Sequence, residues 1–303
     1  MIDKNETFNG TWPFTPNFFS GNGFNQHYVD EGPKDNETLV LLHGEPTWGF
    51  IYRKFIKEFS KKYRVVVPDH MGFGKSETPQ DKIYTLRTHT ENLTTLIEYL
   101  GLKNITLVGQ DWGGPILGQF SLRNPDKVKR IILLNTATSL SRVEYPKKPT
   151  PWFSWIKKHH DQGTLEGILG ESGSTVLSVM KIIGFENSAV VDQNWINAYS
   201  SQFPDRKSCI GAIEFPLDVI LGRIREYMIE GLKTGNLDKL KQKPAMLAFG
   251  LKDNAFDREY AISDFKALFP DSPVSTFENA GHFCQEDIPE VLIPLIDQFI
   301  KVY

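Results

Sequence analysis

The sequence predicts an α/β protein with a mostly parallel, doubly wound sheet. Short apolar runs recur at 38–42, 63–68 and 105–109, helix-like stretches lie between them, and the same alternation returns near the C-terminus after a long interruption. Runs apolar on both faces suit strands covered by helices on either side.

Taken in order, residues 1–22 are rich in Asn, Gly, Pro and Phe and read as an irregular arm leading to a short strand at 24–30. The three apolar runs follow as strands, with helices at 52–60 and 86–100 between them. A helix at 114–123 and a strand at 130–134 extend the series. From 137 to 231 the chain reads as helical or irregular, with aromatics at Trp152, Phe153, Trp155, Trp195, Tyr199 and Phe203. Strand, helix, strand and helix then return at 244–250, 260–268, 274–277 and 291–301. The expected division is a core of residues 1–136 and 232–303 interrupted by a helical cap over 137–231.

A chain of 303 residues can bury a sizeable core. Its 40% hydrophobic and 23% charged residues point neither to disorder nor to a membrane protein. The formal net charge of -3, with signs interspersed, offers no basic stripe for phosphates, so nucleic acid is not an expected partner. Cys209 and Cys284 are the only cysteines, and neither has a CxxC or metal-site spacing. With no charged and apolar leader and no run near the ~20 apolar residues that span a bilayer, no membrane association is expected, and the cytoplasm is the expected location.

Strand 105–109 and the helix that follows enclose Gly109-Gln-Asp-Trp-Gly113. This fits the G-x-nucleophile-x-G elbow of the α/β-hydrolase fold, where small residues let a strained turn lift a side chain above the sheet. Alone, the motif also fits an Asp capping a helix. With Asp111 as nucleophile the chemistry is restricted. A carboxyl with a reference pKa of about 3.9 is ionised at neutral pH and can attack saturated carbon without a base. The product is an alkyl ester, which water can cleave, whereas a serine would form an ether. The leaving group is then a halide or a strained epoxide oxygen.

Hydrolysing such an ester needs a base, an orienting acid and an oxyanion hole. His282, in Ala280-Gly-His-Phe283 after the last strand, stands where the chain order of such triads puts the base. Asp253, just past strand 244–250, is placed to hold its ring; Asp257 is the other contender, and a turn-forming Asp fits both. His43-Gly-Glu-Pro-Thr-Trp48 follows strand 38–42, so the Glu45 backbone N–H is read as an oxyanion donor beside that of Trp112.

These segments, with Asp69-His-Met-Gly-Phe-Gly-Lys-Ser76 and Gly250-Leu-Lys-Asp253, resemble the haloalkane dehalogenases over roughly 24–136 and 240–300. The resemblance implies Asp111 as nucleophile, His282 as base and Asp253 as its partner. It also implies that the Trp112 indole N–H faces the leaving halide. A second halide donor comes in this family from an Asn after His-Gly or from a lid Trp. Glu45 departs from the Asn pattern, which shifts the expectation to Trp155, with Trp152 as the other candidate. Phe153, Phe203, Phe215 and Pro216 are candidates for an apolar pocket, though core packing explains them as well.

The expected activity is hydrolysis of a small halogenated alkane to alcohol, halide and a proton, without metal or organic cofactor, by a monomer or weak homodimer. An epoxide hydrolase shares the Asp nucleophile but needs lid tyrosines as acids, for which Tyr145, Tyr199 and Tyr227 are available. A fluoroacetate-type dehalogenase needs basic residues for the substrate carboxylate, and the sequence does not reveal them. A non-enzymatic relative would show a broken triad, and here all three members are present.

Overall fold

The computed structural model describes residues 2–141, 143–144 and 148–303. Six parallel strands form the body of the sheet: β3 (Thr38–Leu42), β4 (Arg64–Pro68), β5 (Ile105–Gln110), β6 (Val128–Leu134), β7 (Ala245–Lys252) and β8 (Val274–Gly281). An antiparallel edge is added by β1 (Asn17–Phe19) and β2 (Gln26–Glu31). The order across the sheet is β1-β2-β4-β3-β5-β6-β7-β8. The arm expected to be irregular therefore contains a strand. Its three residues are too few to show a period, and only pairing with β2 makes them extended.

Every residue of β3 and β5 is buried, as a strand covered on both faces requires. The chain moves one way from β3 to β4 and the other way from β4 to β5. Right-handed crossovers therefore put α1 (Arg53–Phe59) on one face and α2 (Leu86–Tyr99) and α3 (Gly113–Arg123) on the other. α1 packs with the closing helix α13 (Pro289–Val302), and α2 with α3. Thr85 caps α2 by accepting from Thr88 N, and Leu86, Leu93, Leu96 and Ile97 form its buried stripe.

Between β6 and β7 the described residues contain no strand. They form α4 (Pro151–Asp161), α5 (Leu165–Leu169), α6 (Ser172–Ile183), α7 (Gln193–Ser200), α8 (Ile210–Ile220), α9 (Ile224–Thr234) and α10 (Leu237–Lys241). After β7 come α11 (Arg258–Leu268) and, before α13, the single turn α12 (Cys284–Asp287). Among the described residues no helix is long and apolar enough to cross a membrane.

The inserted helices are tied to the loops of the sheet. The buried Trp48 indole donates to Ala198 O at 2.8 Å. Tyr199 donates to Glu286, which also pairs with Arg53. Gln202 donates to Pro46 O and accepts from Gly74 N. The backbone N–H groups of Asn254 and His282 reach Ile183 O and Gly184 O. Trp48 therefore anchors α7 to the loop after β3.

Candidate active site

Five neighbouring strands, β3, β5, β6, β7 and β8, all end on one edge of the sheet because all run the same way. The loops that leave them carry Glu45, Asp111, Asn135, Asp253 and His282. The strand order reverses between β3 and β5, the switch point where open α/β sheets form their crevice.

Asp111 has φ +50°, a left-handed conformation that a side chain other than glycine's adopts only when its surroundings compel it. Its carbonyl accepts from Gly114 N at 2.9 Å and from Thr136 Oγ1 at 2.6 Å. Two glycines permit the turn. A Cβ on Gly113 would lie 2.3 Å from Leu42 O, and one on Gly44 would lie 2.1 Å from Asp111 Oδ1. Asp111 Oδ1 accepts from the Glu45 backbone N–H at 2.8 Å.

His282 Nε2 faces Asp111 Oδ2 at 3.3 Å, in ion-pair range but without a hydrogen bond. On the other side of the ring, Nδ1 lies 3.0 and 3.1 Å from the two oxygens of Asp253. An ionised carboxylate only accepts, so Nδ1 carries the proton there. Burial opposes charge on this fully buried ring. The carboxylates of Asp253 and Asp111 outweigh it and lift the imidazole from 6.5 to about 10.

Asp253 is itself held by the N–H groups of Ala255 (2.7 Å) and Phe256 (2.9 Å) and by Asn135 Nδ2 (2.9 Å). Asn135, at φ +42°, also exchanges hydrogen bonds with the backbone of Gly250. This support was missed in the sequence, where the available signal was its place directly after the strand beside β7. Asp257, the other contender, instead caps α11 by accepting from Tyr260 N at 2.8 Å.

The Glu45 carboxyl is buried and its Oε1 has no hydrogen-bond partner. Burial, then the nearby Asp111 charge, hold it well above the usual carboxylate range, with His282 opposing. Burial and that charge both press the carboxyl beside the nucleophile toward its neutral form.

Above these groups lies a cavity of about 360 Å³. Glu45, Asp111 and Trp112 line its buried end; Phe153, Pro216, Val219, Ile220 and Met228 line its walls. The Trp112 ring stacks on Phe215, with centroids 4.4 Å apart and planes at 13°. Its indole N–H donates to no protein acceptor among the described residues.

Three expectations need correction. Trp155 does not line the cavity, whereas Trp152 does. The two rings stack at 5.4 Å, and Trp155, three residues further along α4, lies between Trp152 and His159. Phe215 is not in the lining; it backs Trp112. Phe203 is also outside it, edge-on to Phe73 in the packing below. Phe153 and Pro216 do line it.

Of the tyrosines considered as acids, Tyr199 spends its hydroxyl on Glu286, and Tyr227 lies under the guanidinium groups of Arg87 and Arg123; neither lines the cavity. Tyr145 lies outside the described residues. The 69–76 segment is a support: buried Asp69 accepts from Gly49 N and Lys75 N and pairs with His27. No group of three His, Cys, Asp or Glu among the described residues is arranged to hold a metal ion.

Residues 37–163 match the family described as alpha/beta hydrolase fold. The chain is 32% identical over 293 residues to a cis-3-alkyl-4-alkyloxetan-2-one decarboxylase of Xanthomonas campestris pv. campestris, covering 92% of this chain and 93% of that protein. It is also 32% identical over 283 residues to a haloalkane dehalogenase of Psychrobacter cryohalolentis, covering 90% and 86%. The haloalkane dehalogenase DpaA of Paraglaciecola agarilytica, solved as a tetramer, superposes with a TM-score of 0.76 at 28% identity, over 97% of this chain and 94% of that one.

Proposed function

Because the chain belongs to the haloalkane dehalogenase family of the α/β-hydrolase fold, we propose that it is a hydrolase of carbon–halogen bonds, converting small haloalkanes to alcohol, halide and a proton. The observation that carries this reading is the Asp111 carboxylate, raised on its elbow into an apolar cavity and faced at 3.3 Å by His282.

Asp111 attacks the carbon bearing the halogen, the carbon–halogen bond breaks, and an alkyl ester forms. The indole N–H groups of Trp112 and Trp152, which share the cavity, serve the halide as its charge develops. Esterification removes one of the two carboxylate charges that hold the proton on His282. The ring then releases that proton to solvent and becomes the base that takes a proton from water as the water attacks the ester carbonyl; the acyl–oxygen bond breaks, the alcohol leaves with a proton, and the Asp111 carboxyl returns its own proton to the ring. Asp253 and Asn135 hold its orientation. The backbone N–H groups of Glu45 and Trp112 receive the oxyanion, and the neutral Glu45 carboxyl hydrogen-bonds the water without opposing its approach. The inserted helices act as the cap that keeps bulk water from the ester.

The direct test is halide and proton release from 1,2-dibromoethane. A folded preparation that releases neither would sink the reading.

The 32% identity to an oxetan-2-one decarboxylase favours one second reading. Asp111 attacks the saturated ring carbon bonded to the ring oxygen, and that carbon–oxygen bond breaks to leave a carboxylate. Loss of CO2 then expels Asp111 and leaves an alkene. No water is consumed, so alkene and CO2 from a dialkyl oxetan-2-one, without halide release from any haloalkane, would put this reading first.

A further inference from the structure

We propose that the site takes halogenated chains ending in a carboxylate, with the halogen end at Asp111 and the anionic end held at the cavity's exposed end by Lys148 and Lys157. This rests on the dehalogenation reading and names its substrate class.

The lining of the cavity divides by burial and charge. Asp111, Trp112 and Glu45 are buried at one end, whereas Lys148 and Lys157 are exposed at the other. Between them the walls are apolar, with Phe153, Pro216 and Val219 among them. In the proposed complex the methylenes of the substrate lie against these walls and its carboxylate beside the two ammonium groups.

The charges at the exposed end leave room for an anion. Lys148 has no hydrogen bond or ion pair among the described residues. Lys157 pairs with Asp161 at 2.8 Å, one turn along α4, but both side chains are more than half exposed, and such pairs exchange partners at little cost. Asp257 is the carboxylate of the lining at this end, and it is engaged at the positive end of α11 through Tyr260 N. At the buried end the lining carboxyls are Asp111 and Glu45, and the nearby cation, His282, already lies between Asp111 and Asp253. A carboxylate beside the reacting carbon, as in a haloacetate, has no free cation there. The preferred anion is therefore distal.

The test compares bromide release from 6-bromohexanoate and from 1-bromohexane in the native protein, Lys148→Gln and Lys148→Glu. Contacts with exposed ammonium groups are worth a few-fold each, so the expected preference for the acid in kcat/KM is about three- to tenfold. It shrinks when sodium sulfate raises the ionic strength. Lys148→Gln lowers the ratio about threefold, carried by KM, and Lys148→Glu lowers it further. A ratio in Lys148→Glu equal to the native one overturns the proposal.

Calorimetric binding of hexanoate, which has no bond to cleave, separates the two readings. If no bromide appears from either substrate, the dehalogenation reading fails. Hexanoate binding that is weakened in Lys148→Glu still supports the Lys148 contact, and binding that is absent or unchanged refutes it.

Discussion

The backbone N–H of Glu45 donates to Asp111 Oδ1 at 2.8 Å, while burial beside the same carboxylate pushes the Glu45 side chain toward its neutral form. One residue thus supplies a dipole that favours charge on Asp111 and a carboxyl that adds no charge against it. Two acids can share an apolar cavity on these terms because the shift on Glu45 favours its uncharged form.

Asp111→Asn should lower halide release by at least about a thousandfold while leaving the fold intact by circular dichroism. His282→Phe should behave differently. It should release about one equivalent of halide per active site and then stop, with intact mass rising by the alkyl group, because the displacement does not use the imidazole as base. Turnover by His282→Phe at the native rate would exclude the base role.

Trp152→Phe should reduce kcat/KM for 1,2-dibromoethane about tenfold and weaken halide quenching of tryptophan fluorescence, since it removes one of the two cavity indole donors. Trp155→Phe should stay within about twofold of the native protein. The reverse pattern would return the halide contact to Trp155.

Asn135→Ala removes the bonds to both backbone atoms of Gly250 and to Asp253 Oδ2. The expected loss is about 1–3 kcal/mol in urea unfolding, with a lower rate of ester hydrolysis as His282 loses part of its orientation. Unaltered stability and an unaltered rate would show that Asp253 is held well enough by Ala255 and Phe256 alone.

Above pH 6.5 stability should fall as pH rises; below it the buried His43, His70 and His89, whose pKa values are lowered from 6.5, act in the opposite direction. A group whose pKa is raised by folding contributes fully below its unfolded value and loses that contribution as pH climbs to the folded one. For His282 the window runs from 6.5 to about 10, and for Glu45 it begins at 4.5 and extends upward. Both act in the same direction. Glu45→Gln should therefore lose less stability than the native protein as pH rises from 4.5, as judged by urea midpoints. Parallel curves for the two proteins would contradict a protonated Glu45.

The parts of the site legible in the sequence were those carried by local pattern. The β3 and β5 runs are apolar on both faces, and Gly109-Gln-Asp-Trp-Gly113 marks the elbow between strand and helix. The contact from Asn135 to Asp253 spans 118 residues and exists because β6 and β7 are neighbours, which no local pattern records. Trp152 and Trp155 lie three apart on one helix, so spacing does not say which one meets the cavity. β1 has three residues, and its extended form comes from pairing at the sheet edge.

The ties from Trp48 to Ala198, from Gln202 to the loops around it, and from Glu286 to Tyr199 fasten α7 and the residues after it to the loops of the sheet. The helices that line the cavity, with Lys148 and Lys157 exposed at its rim, form a separate doorway. Throughput and choice of cargo are therefore open to adjustment by residues at the exposed rim, while the distances among Asp111, His282 and Asp253 are set by the sheet beneath and need not change with them. In an evolving lineage, that separation lets the doorway be refitted many times over an unaltered hearth.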